Sequence, residues 1–418
     1  MARPPRLVLL VAVVGLIASA CGPAAAAEVR SNAPRAAADA AASKKASAAL
    51  DAFALDLYRR VAEKPGNVVL SPYSVAVALA MTRAGAAGVT ASQMDAVLRT
   101  AIAGDLDAGY NGLEQALAKR PGKYKVGDQS LDLELATANR LWGQNGFSFE
   151  QAFLDRLASS YGAGMQIVDY EKATEAARRT INEWVASRTK DRIKDLIPDG
   201  VLDARTRLVL TNAIYLKASW MVRFDDAVSA PFTRLDGSRV DAQLMHESET
   251  LRYVSADGYQ LAAIPYAGGL SMLVVLPDPG RFAAVESALD GAKLRAAIDS
   301  LKPRAVNLSL PKFTFRSEAR LKDVLTAMGM PVAFSDAADF SGMTKQDSLA
   351  IAEVLHQAFI AVDEKGTEAA AATAVVMRLT AAPQAPVDLR VDRPFLFAIQ
   401  DEETGALLFL GRVTDPTK

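Results

Sequence analysis

Histidine and cysteine, the residues most used in nucleophilic and zinc chemistry, are scarce in this chain of 418 residues. It has two histidines, His246 and His356, and one cysteine, Cys21. A Ser/His/Asp set or a His/Cys metal site needs histidines with suitable neighbours, and His246 has only Glu247 beside it. His356 lies in an apolar stretch, which favours a buried structural histidine. Phosphate-loop, nucleophile-elbow and dinucleotide-binding glycine motifs are missing from the sequence, so we predict no enzyme, metal or cofactor.

A tract near the C-terminus, residues 364–377, has two faces when it is read in steps of two. Thr367 and Thr373 fall on one face with small residues, and Glu368 and Arg378 fall on the other. A strand can bury one such face, yet alanine favours helices. Gly366 can act as a hinge at the head of the tract. The residues alone leave two interpretations open, an alanine-rich helix followed by a loop and a segment with two conformations.

Composition is that of a globular protein, with 50% hydrophobic and 23% charged residues. The net charge is -1, so no overall field favours nucleic acid as a partner. Helical patterns at residues 150–160 and 171–189 alternate with strand patterns such as 208–216, 270–276 and 354–362. We therefore predict a single α+β domain over residues 49–418.

The N-terminus has the layout of a bacterial secretory signal over residues 1–20. Cys21 follows small residues and resembles the lipidated cysteine of bacterial lipoproteins, although Ala18 stands where leucine is commoner. The alternative is a plain signal peptide cut after Ala20 or within residues 24–27. We expect an exported protein, either a cell-envelope lipoprotein or a secreted one, that meets a membrane only through an anchor at Cys21. Residues 21–48 are alanine-rich and are predicted to form a tether, with a helix beginning toward its end.

Several ordered motifs resemble those of the serpin family, from about Ala49 to the end of the chain. NVVLSPYS at residues 67–74 is similar to an early element of that family, and TNAIYLKASW at residues 211–220 to its central block. The other matching segments are residues 85–90, 181–184 with 193–200, 310–313, 356–359 and 389–399.

The resemblance implies eight or nine helices around three β-sheets, with an exposed reactive-centre loop at about residues 364–390. It also implies a monomeric inhibitor rather than an enzyme. A protease would cleave the loop, and the cleaved loop would insert as a strand into the large sheet. The predicted loop hinge comprises Glu364, Gly366, Thr367, Glu368, Ala369, Ala370, Ala371, Ala372 and Thr373.

Family spacing places the scissile bond between Thr380 and Ala381. Small residues there would suit an elastase-like serine protease. A shift in register would make Leu379 or Arg378 the recognised residue, which implies chymotrypsin-like or subtilisin-like targets for the first and trypsin-like targets for the second.

The resemblance also assigns a polar support beneath the sheet and a residue at its top. Ser71, Ser74, Asn212 and His356 would form the support, called the shutter, and Trp220 would lie at the top, called the breach. Glu364 is expected to pair with Lys312 on a neighbouring strand.

Three other functions stay open at the level of sequence. A non-inhibitory serpin could act as a binding or chaperone-like module, but it tends to carry bulky, charged or proline residues in the hinge. An inhibitory serpin could instead act on papain-like cysteine proteases. A penicillin-binding or esterase-like hydrolase would need the lysine of an S-x-x-K motif, which residues 71–74 lack.

Overall fold

A computed structural model describes residues 27–346, 348–367 and 385–418. The predicted signal peptide at residues 1–20 and Cys21 lie outside the described residues, as do the hinge residues from Glu368 to Thr373. The candidate cleavage residues Arg378, Leu379, Thr380 and Ala381 also lie outside them.

The described residues form ten α-helices. Side chains of Asp39, Ser71, Asp105, Asp169 and Asp290 accept hydrogen bonds from backbone N–H groups in the first turns of five helices, which fixes where these helices begin. The helices are α1 (Ala40–Val61), α2 (Pro72–Arg83), α3 (Gly88–Val97), α4 (Thr100–Ala103), α5 (Leu106–Leu117), α6 (Gln151–Tyr161), α7 (Tyr170–Arg188), α8 (Phe282–Ala288), α9 (Gly291–Asp299) and α10 (Lys322–Met328).

Strands account for most of the remaining ordered backbone. They are β1 (Ala27–Val29), β2 (Val68–Leu70), β3 (Gly122–Val126), β4 (Gln129–Thr137), β5 (Arg140–Gln144), β6 (Met165–Val168), β7 (Leu208–Ser219), β8 (Asp225–Thr233), β9 (Arg239–Ala256), β10 (Tyr259–Pro265), β11 (Leu270–Pro277), β12 (Lys302–Pro311), β13 (Phe313–Arg320), β14 (Glu353–Asp363), β15 (Gly366–Thr367), β16 (Val387–Arg390), β17 (Phe395–Asp401) and β18 (Leu407–Val413). The predicted α+β class is confirmed.

The first sheet carries the candidate site. Its order is β1-β6-β5-β7-β15-β14-β13, and β4 joins it by pairing with β3 and with β7. At its centre β7 and β14 run parallel to each other, and β15 lies between them at one end, antiparallel to both. The short strand β15 therefore occupies the beginning of a position that a longer strand could fill.

The described residues form two hydrogen-bonded sheets, whereas the resemblance implied three. The second sheet has the order β16-β12-β9-β10-β11-β17-β18-β2, and β8 pairs with β9. The reason is the length of β9, whose 18 residues pair with β8 at one end and β10 at the other. This continuous strand joins two patches of sheet into one.

Helix α2 forms the layer between the two sheets. It contacts β7 of the first sheet and β18 of the second, and almost all of its side chains are buried. One contiguous cluster of buried apolar side chains extends from Ala46 in α1 to Val413 in β18, as a single domain requires. Within the described ranges, none of the helices has the length and apolar character needed to cross a membrane.

The predicted tether at residues 21–48 is wrong for the part that the structure describes. From Ala27 onward this segment belongs to the folded body, because β1 pairs with β6. Helix α1 begins at Ala40, in agreement with the helix expected toward the end of the segment. The N–H of Ala36 donates to the carbonyl of Ser159, and the Arg35 side chain donates to Asn111 and Glu114. The alanine-rich composition suggested a tether, but backbone pairing and these polar contacts fix the segment to the body.

Candidate functional site: the strand position between β7 and β14

Gly366 and Thr367 form β15 and lie between the ends of β7 and β14. Gly366 lies opposite Ser219 on β7 and Asp363 on β14, and Thr367 lies opposite Ala218 and Val362. Gly366 has a φ of 148°, and a Cβ atom there would lie 2.0 Å from the carbonyl oxygen of Ala218. Only glycine fits this close approach. The predicted hinge glycine is therefore the residue that lets the chain enter the sheet.

Thr367 is held by an aromatic pair at the same end of the sheet. Its side chain is buried, and its Oγ1 lies 2.6 Å from the hydroxyl of Tyr266. Tyr266 stacks on Trp220 with ring centroids 4.1 Å apart, and Trp220 Nε1 donates to the carbonyl of Asp363 at 2.9 Å. Trp220 lies where the sequence placed it. Tyr266 was missed because no local motif marks it.

Glu364 fixes the base of the hinge. Lys312 Nζ donates to its carboxylate at 2.9 Å, as the sequence predicted, and the N–H of Ala227 donates to it at 3.2 Å. Burial alone would raise the pKa of the Glu364 carboxyl, but these hydrogen bonds outweigh burial and lower that pKa below its usual value. The carboxylate therefore stays charged and ties the hinge to β8 and to the start of β13.

Below β15 the two central strands separate at a point that we call the fork. The parallel pairing of β14 with β7 runs from Glu353 opposite Val209 to Ala358 opposite Ile214 and then stops. The next three residues of β7, 215–217, pair with β4, and the next three of β14, 359–361, pair with β13. In the described part of the chain, no strand pairs with their inward edges until β15 is reached.

His356 lies just before the fork on the opposite side of the first sheet from α7, in contact with α2 and β7. Its Nε2 accepts a hydrogen bond from the N–H of Ser71 at 3.0 Å, so Nδ1 carries the proton and donates to Asn212 Oδ1 at 2.7 Å. Burial lowers the pKa of His356 to about 4. The neutral histidine thus joins the N-terminus of α2 to β7 and β14.

The other predicted shutter residues lie beside His356. Ser71 caps α2 by accepting the N–H of Ser74 at 3.2 Å. Ser74 Oγ and Asn212 Nδ2 are buried and have no hydrogen-bond partner among the described residues. Each can therefore form a new hydrogen bond if the strands rearrange.

The hydrogen bonds of this cluster give it a structural role beneath the two central strands. His356 Nε2 is occupied by a backbone N–H, so the ring is not placed to take a proton from a serine hydroxyl. Among residues 27–346, 348–367 and 385–418, no three His, Cys, Asp or Glu side chains lie together as metal ligands. The arrangement can hold two strands together or let them part.

Helix α7 and the turn after it cover the other face of the sheet. Trp184 of α7 packs edge-on against Trp142 of β5, with ring centroids 5.4 Å apart, and Trp142 Nε1 donates to Thr211 Oγ1 of β7 at 2.9 Å. The turn at residues 189–192 then brings Lys190 and Arg192 over the sheet. Sequence reasoning missed both residues, because only the folded chain brings them to the fork.

Comparison with protein families gives one match that covers most of the chain. The model of the family described as "Serpin (serine protease inhibitor)" matches residues 48–416. The match therefore includes the strands on both sides of the fork and all the described hinge residues.

Individual proteins agree with the family match. A serpin-like protein of Thermococcus kodakarensis that bears the label uncharacterized is 39% identical over 373 residues, covering 88% of this chain and 85% of its own. A leukocyte elastase inhibitor of Sus scrofa is 35% identical over 384 residues, covering 88% and 99% of the two chains. The crystal structure of the thermophilic serpin tengpin in its native state superposes with a TM-score of 0.79 at 29% identity, covering 93% and 99%.

Proposed function

The chain belongs to the serpin family, and from that premise we propose that it inhibits serine endopeptidases as a suicide substrate. The family is of the protease-inhibitor type, and its members generally bind target proteases. In the proposed reaction, the protease serine attacks the carbonyl carbon of Thr380. The bond to Ala381 breaks, and the new amine of Ala381 takes up the proton. The protease is then an ester on the carboxyl end of the hinge segment.

The observation that carries this proposal is the position of Gly366 and Thr367 between β7 and β14. The strand that the cleaved loop would form already has its first two residues in antiparallel register with both neighbours. Thr367 faces inward and is buried, and small residues follow it on the same face in the sequence. At about 3.3 Å per residue, insertion as far as Thr380 would carry the bound protease roughly 50 Å.

The hinge favours this function over a non-inhibitory role. The sequence from Thr367 to Thr373 contains one charged residue, Glu368, which alternation places on the face opposite Thr367. A bulky or charged residue on the face of Thr367 would oppose burial between the strands.

Location and target specificity form part of the same proposal. The signal-like residues 1–20 and the small residues before Cys21 support export, with either lipidation of Cys21 or secretion. Thr380 and Ala381 support an elastase-like target, and the name of the porcine relative makes elastase the first protease to test.

The test is to incubate the purified protein with elastase, subtilisin, chymotrypsin, trypsin and papain. We expect an SDS-stable complex with a serine protease and a cut at Thr380–Ala381, located by mass spectrometry of the released peptide. A stable complex with papain alone would assign the cysteine class instead. Degradation without any complex would overturn the proposal.

A hinge variant provides the matched comparison. Thr367→Arg places a charge in the buried position between the strands, so we expect the protein to be cleaved at a similar rate while complex formation falls at least tenfold. Thr367→Ser keeps the hydroxyl that contacts Tyr266 and is expected to inhibit normally. Equal complex formation by Thr367→Arg and the unchanged protein would contradict strand insertion at this position.

A further inference from the structure

Tyr215 and Phe359 are the first residues of β7 and β14 beyond the fork, and each has a cationic side chain above its aromatic ring. Tyr215 follows Ile214, and Phe359 follows Ala358, the last pair joined across β7 and β14. Lys190 Nζ lies 6.0 Å from the centroid of the Tyr215 ring, and Arg192 Cζ lies 5.6 Å from that of Phe359. Both distances fit a cation–π contact. One short turn therefore contacts both sides of the fork.

Lys190 is fixed to the side of the fork that contains β4 and β7. Its ammonium group forms an ion pair with Glu134 on β4, and Lys217 of β7 lies 3.5 Å from the same carboxylate. Arg192, two residues further on, contacts Phe359 of β14. The two cations thus attach one turn to strands on opposite sides of the fork.

The backbone of this turn is defined by hydrogen bonds and strained. The N–H of Asp191 donates to the carbonyl of Ala186 at 2.9 Å, and the N–H of Arg192 donates to that of Thr189 at 3.0 Å. Lys190 and Asp191 have φ values of 50° and 60°, and two consecutive left-handed residues other than glycine are costly. Such strain persists where surrounding contacts enforce it, and it is concentrated at functional segments. The turn therefore holds its two cations at a fixed spacing.

We propose that Lys190 and Arg192 form a latch that slows entry of a strand between β7 and β14. This Lys190–Arg192 latch rests on the proposed function, because it controls the insertion step of that mechanism. An inserted strand moves Tyr215 away from Phe359 by up to one further strand spacing, about 4.8 Å. A turn of fixed geometry cannot keep both cation–π contacts across that increase, so at least one must break before the strand can enter. The two side chains are positioning residues and do not touch the target protease.

The proposal is tested by strand uptake without any protease. A synthetic peptide with the sequence of residues 367–380 is added to the whole protein, and its incorporation is followed by native electrophoresis. Lys190→Met and Arg192→Met keep most of the side-chain length and remove the charge. We expect each single variant and the double variant to speed uptake about threefold, because losing either contact releases the turn from one side of the fork, and one exposed cation–π contact is worth about that factor.

Arg188→Met is the matched control. Arg188 Cζ lies 5.7 Å from the centroid of the Trp184 ring, so this variant also removes a cation from a ring. Trp184 packs on β5, far from the β14 side of the fork, and we expect uptake at the unchanged rate. Thermal unfolding of all four variants before peptide addition verifies that each is folded.

The outcomes separate the latch from the proposed function. Faster uptake by the two latch variants, with Arg188→Met unchanged, supports the latch even if no protease forms a stable complex. Uptake at the same rate in the folded double variant and the unchanged protein overturns it, as does an equal increase in Arg188→Met. Failure of every variant to take up the peptide also overturns it, because the latch would then guard no strand position.

Discussion

The hydrogen bonds that His356 makes require its imidazole ring to be uncharged. It is 2% exposed, and the backbone N–H of Ser71 points at its Nε2 atom. A proton on Nε2 would face that N–H, so the hydrogen bond would be lost and a charge would be buried. Neutrality of this one ring therefore maintains the link between α2 and the two central strands of the first sheet.

The first prediction concerns the pH dependence of this link. The pKa of His356 is about 4 in the folded protein against 6.5 for an ordinary histidine. Between these values the unfolded chain binds the proton and the folded chain does not, so the unfolding free energy falls as pH falls through this window and levels off below it. The loss from this group is at most roughly 3 kcal/mol.

The measurement is urea unfolding of the unchanged protein and His356→Gln from pH 7 to pH 4. We expect the stability advantage of the unchanged protein to shrink as pH falls from 6.5 to 4. His246→Gln removes the other imidazole and serves as the matched histidine substitution. A constant advantage over His356→Gln would show that His356 is not the titrating group.

At the scale of residues, the positions of side chains that belong to long motifs could be predicted from the sequence. Trp220, His356 and the pair of Glu364 with Lys312 all lie where the motifs implied. Tyr266, Lys190 and Arg192 could not be found in this way. Their roles come from contacts between segments distant in the chain, and strand register and turn geometry decide those contacts.

At the scale of elements, the hinge is a strand of two residues, β15. Between it and the paired part of β7 and β14 lie only residues 215–217 and 359–361. The period-two alternation that begins at Thr367 predicted one buried face, and the burial of Thr367 agrees with it. The competing preference of alanine for helices concerns residues beyond Thr367, which lie outside the described part of the chain. The structure therefore tests the start of this prediction, at Gly366 and Thr367.

The second prediction concerns the anchor of β15. Lys312→Met removes the ion pair with Glu364, whose side chain is 16% exposed, while that of Lys312 is 38% exposed. We expect a loss of about 1 kcal/mol in unfolding free energy, because the partly buried carboxylate keeps backbone donors such as the N–H of Ala227 but loses its cationic partner.

Denaturant unfolding at pH 7 measures this loss. Lys345→Met is the comparison, since Lys345 is 75% exposed and lies 3.7 Å from Glu150. That solvated ion pair is expected to contribute almost nothing to the unfolding free energy. Equal effects of the two variants would mean that Glu364 does not depend on Lys312.

At the scale of the whole molecule, the clearest difference from the sequence prediction is the N-terminal segment. Composition alone suggested a tether, because an alanine-rich segment without aromatic residues has no pattern that predicts packing against the rest of the domain. The contacts that dock it come from Ser31, Arg35 and the backbone of Ala36, and their partners lie on α5 and α6. No sequence pattern predicted β1 either, the three-residue strand that pairs with β6.

The third prediction follows from this docking. A chain beginning at Asp39 keeps the cap of α1 but loses Arg35, which donates to Glu114. Burial already raises the pKa of Glu114 despite that arginine. Removing the cation leaves the partly exposed Glu114 carboxyl and the amide of Asn111 without these partners, so we expect a loss of about 2 kcal/mol.

A chain beginning at Ala27 is the control and is expected to match the stability of the full chain. Both truncated proteins are compared with the full chain by thermal and urea unfolding. Stability of the Asp39 form equal to that of the Ala27 form would mean that residues 27–38 rest on the surface without contributing to the fold.

The fork affects how the stability of this protein should be measured. Residues 215–217 of β7 and 359–361 of β14 have no strand between them in the described chain, and the proposed insertion would place the cleaved loop there. In the proposed mechanism the inserted arrangement has more backbone pairing, and the uncleaved form persists because a barrier separates the two. Its useful property is a half-life, which depends on temperature and heating rate, and an equilibrium midpoint alone does not describe it.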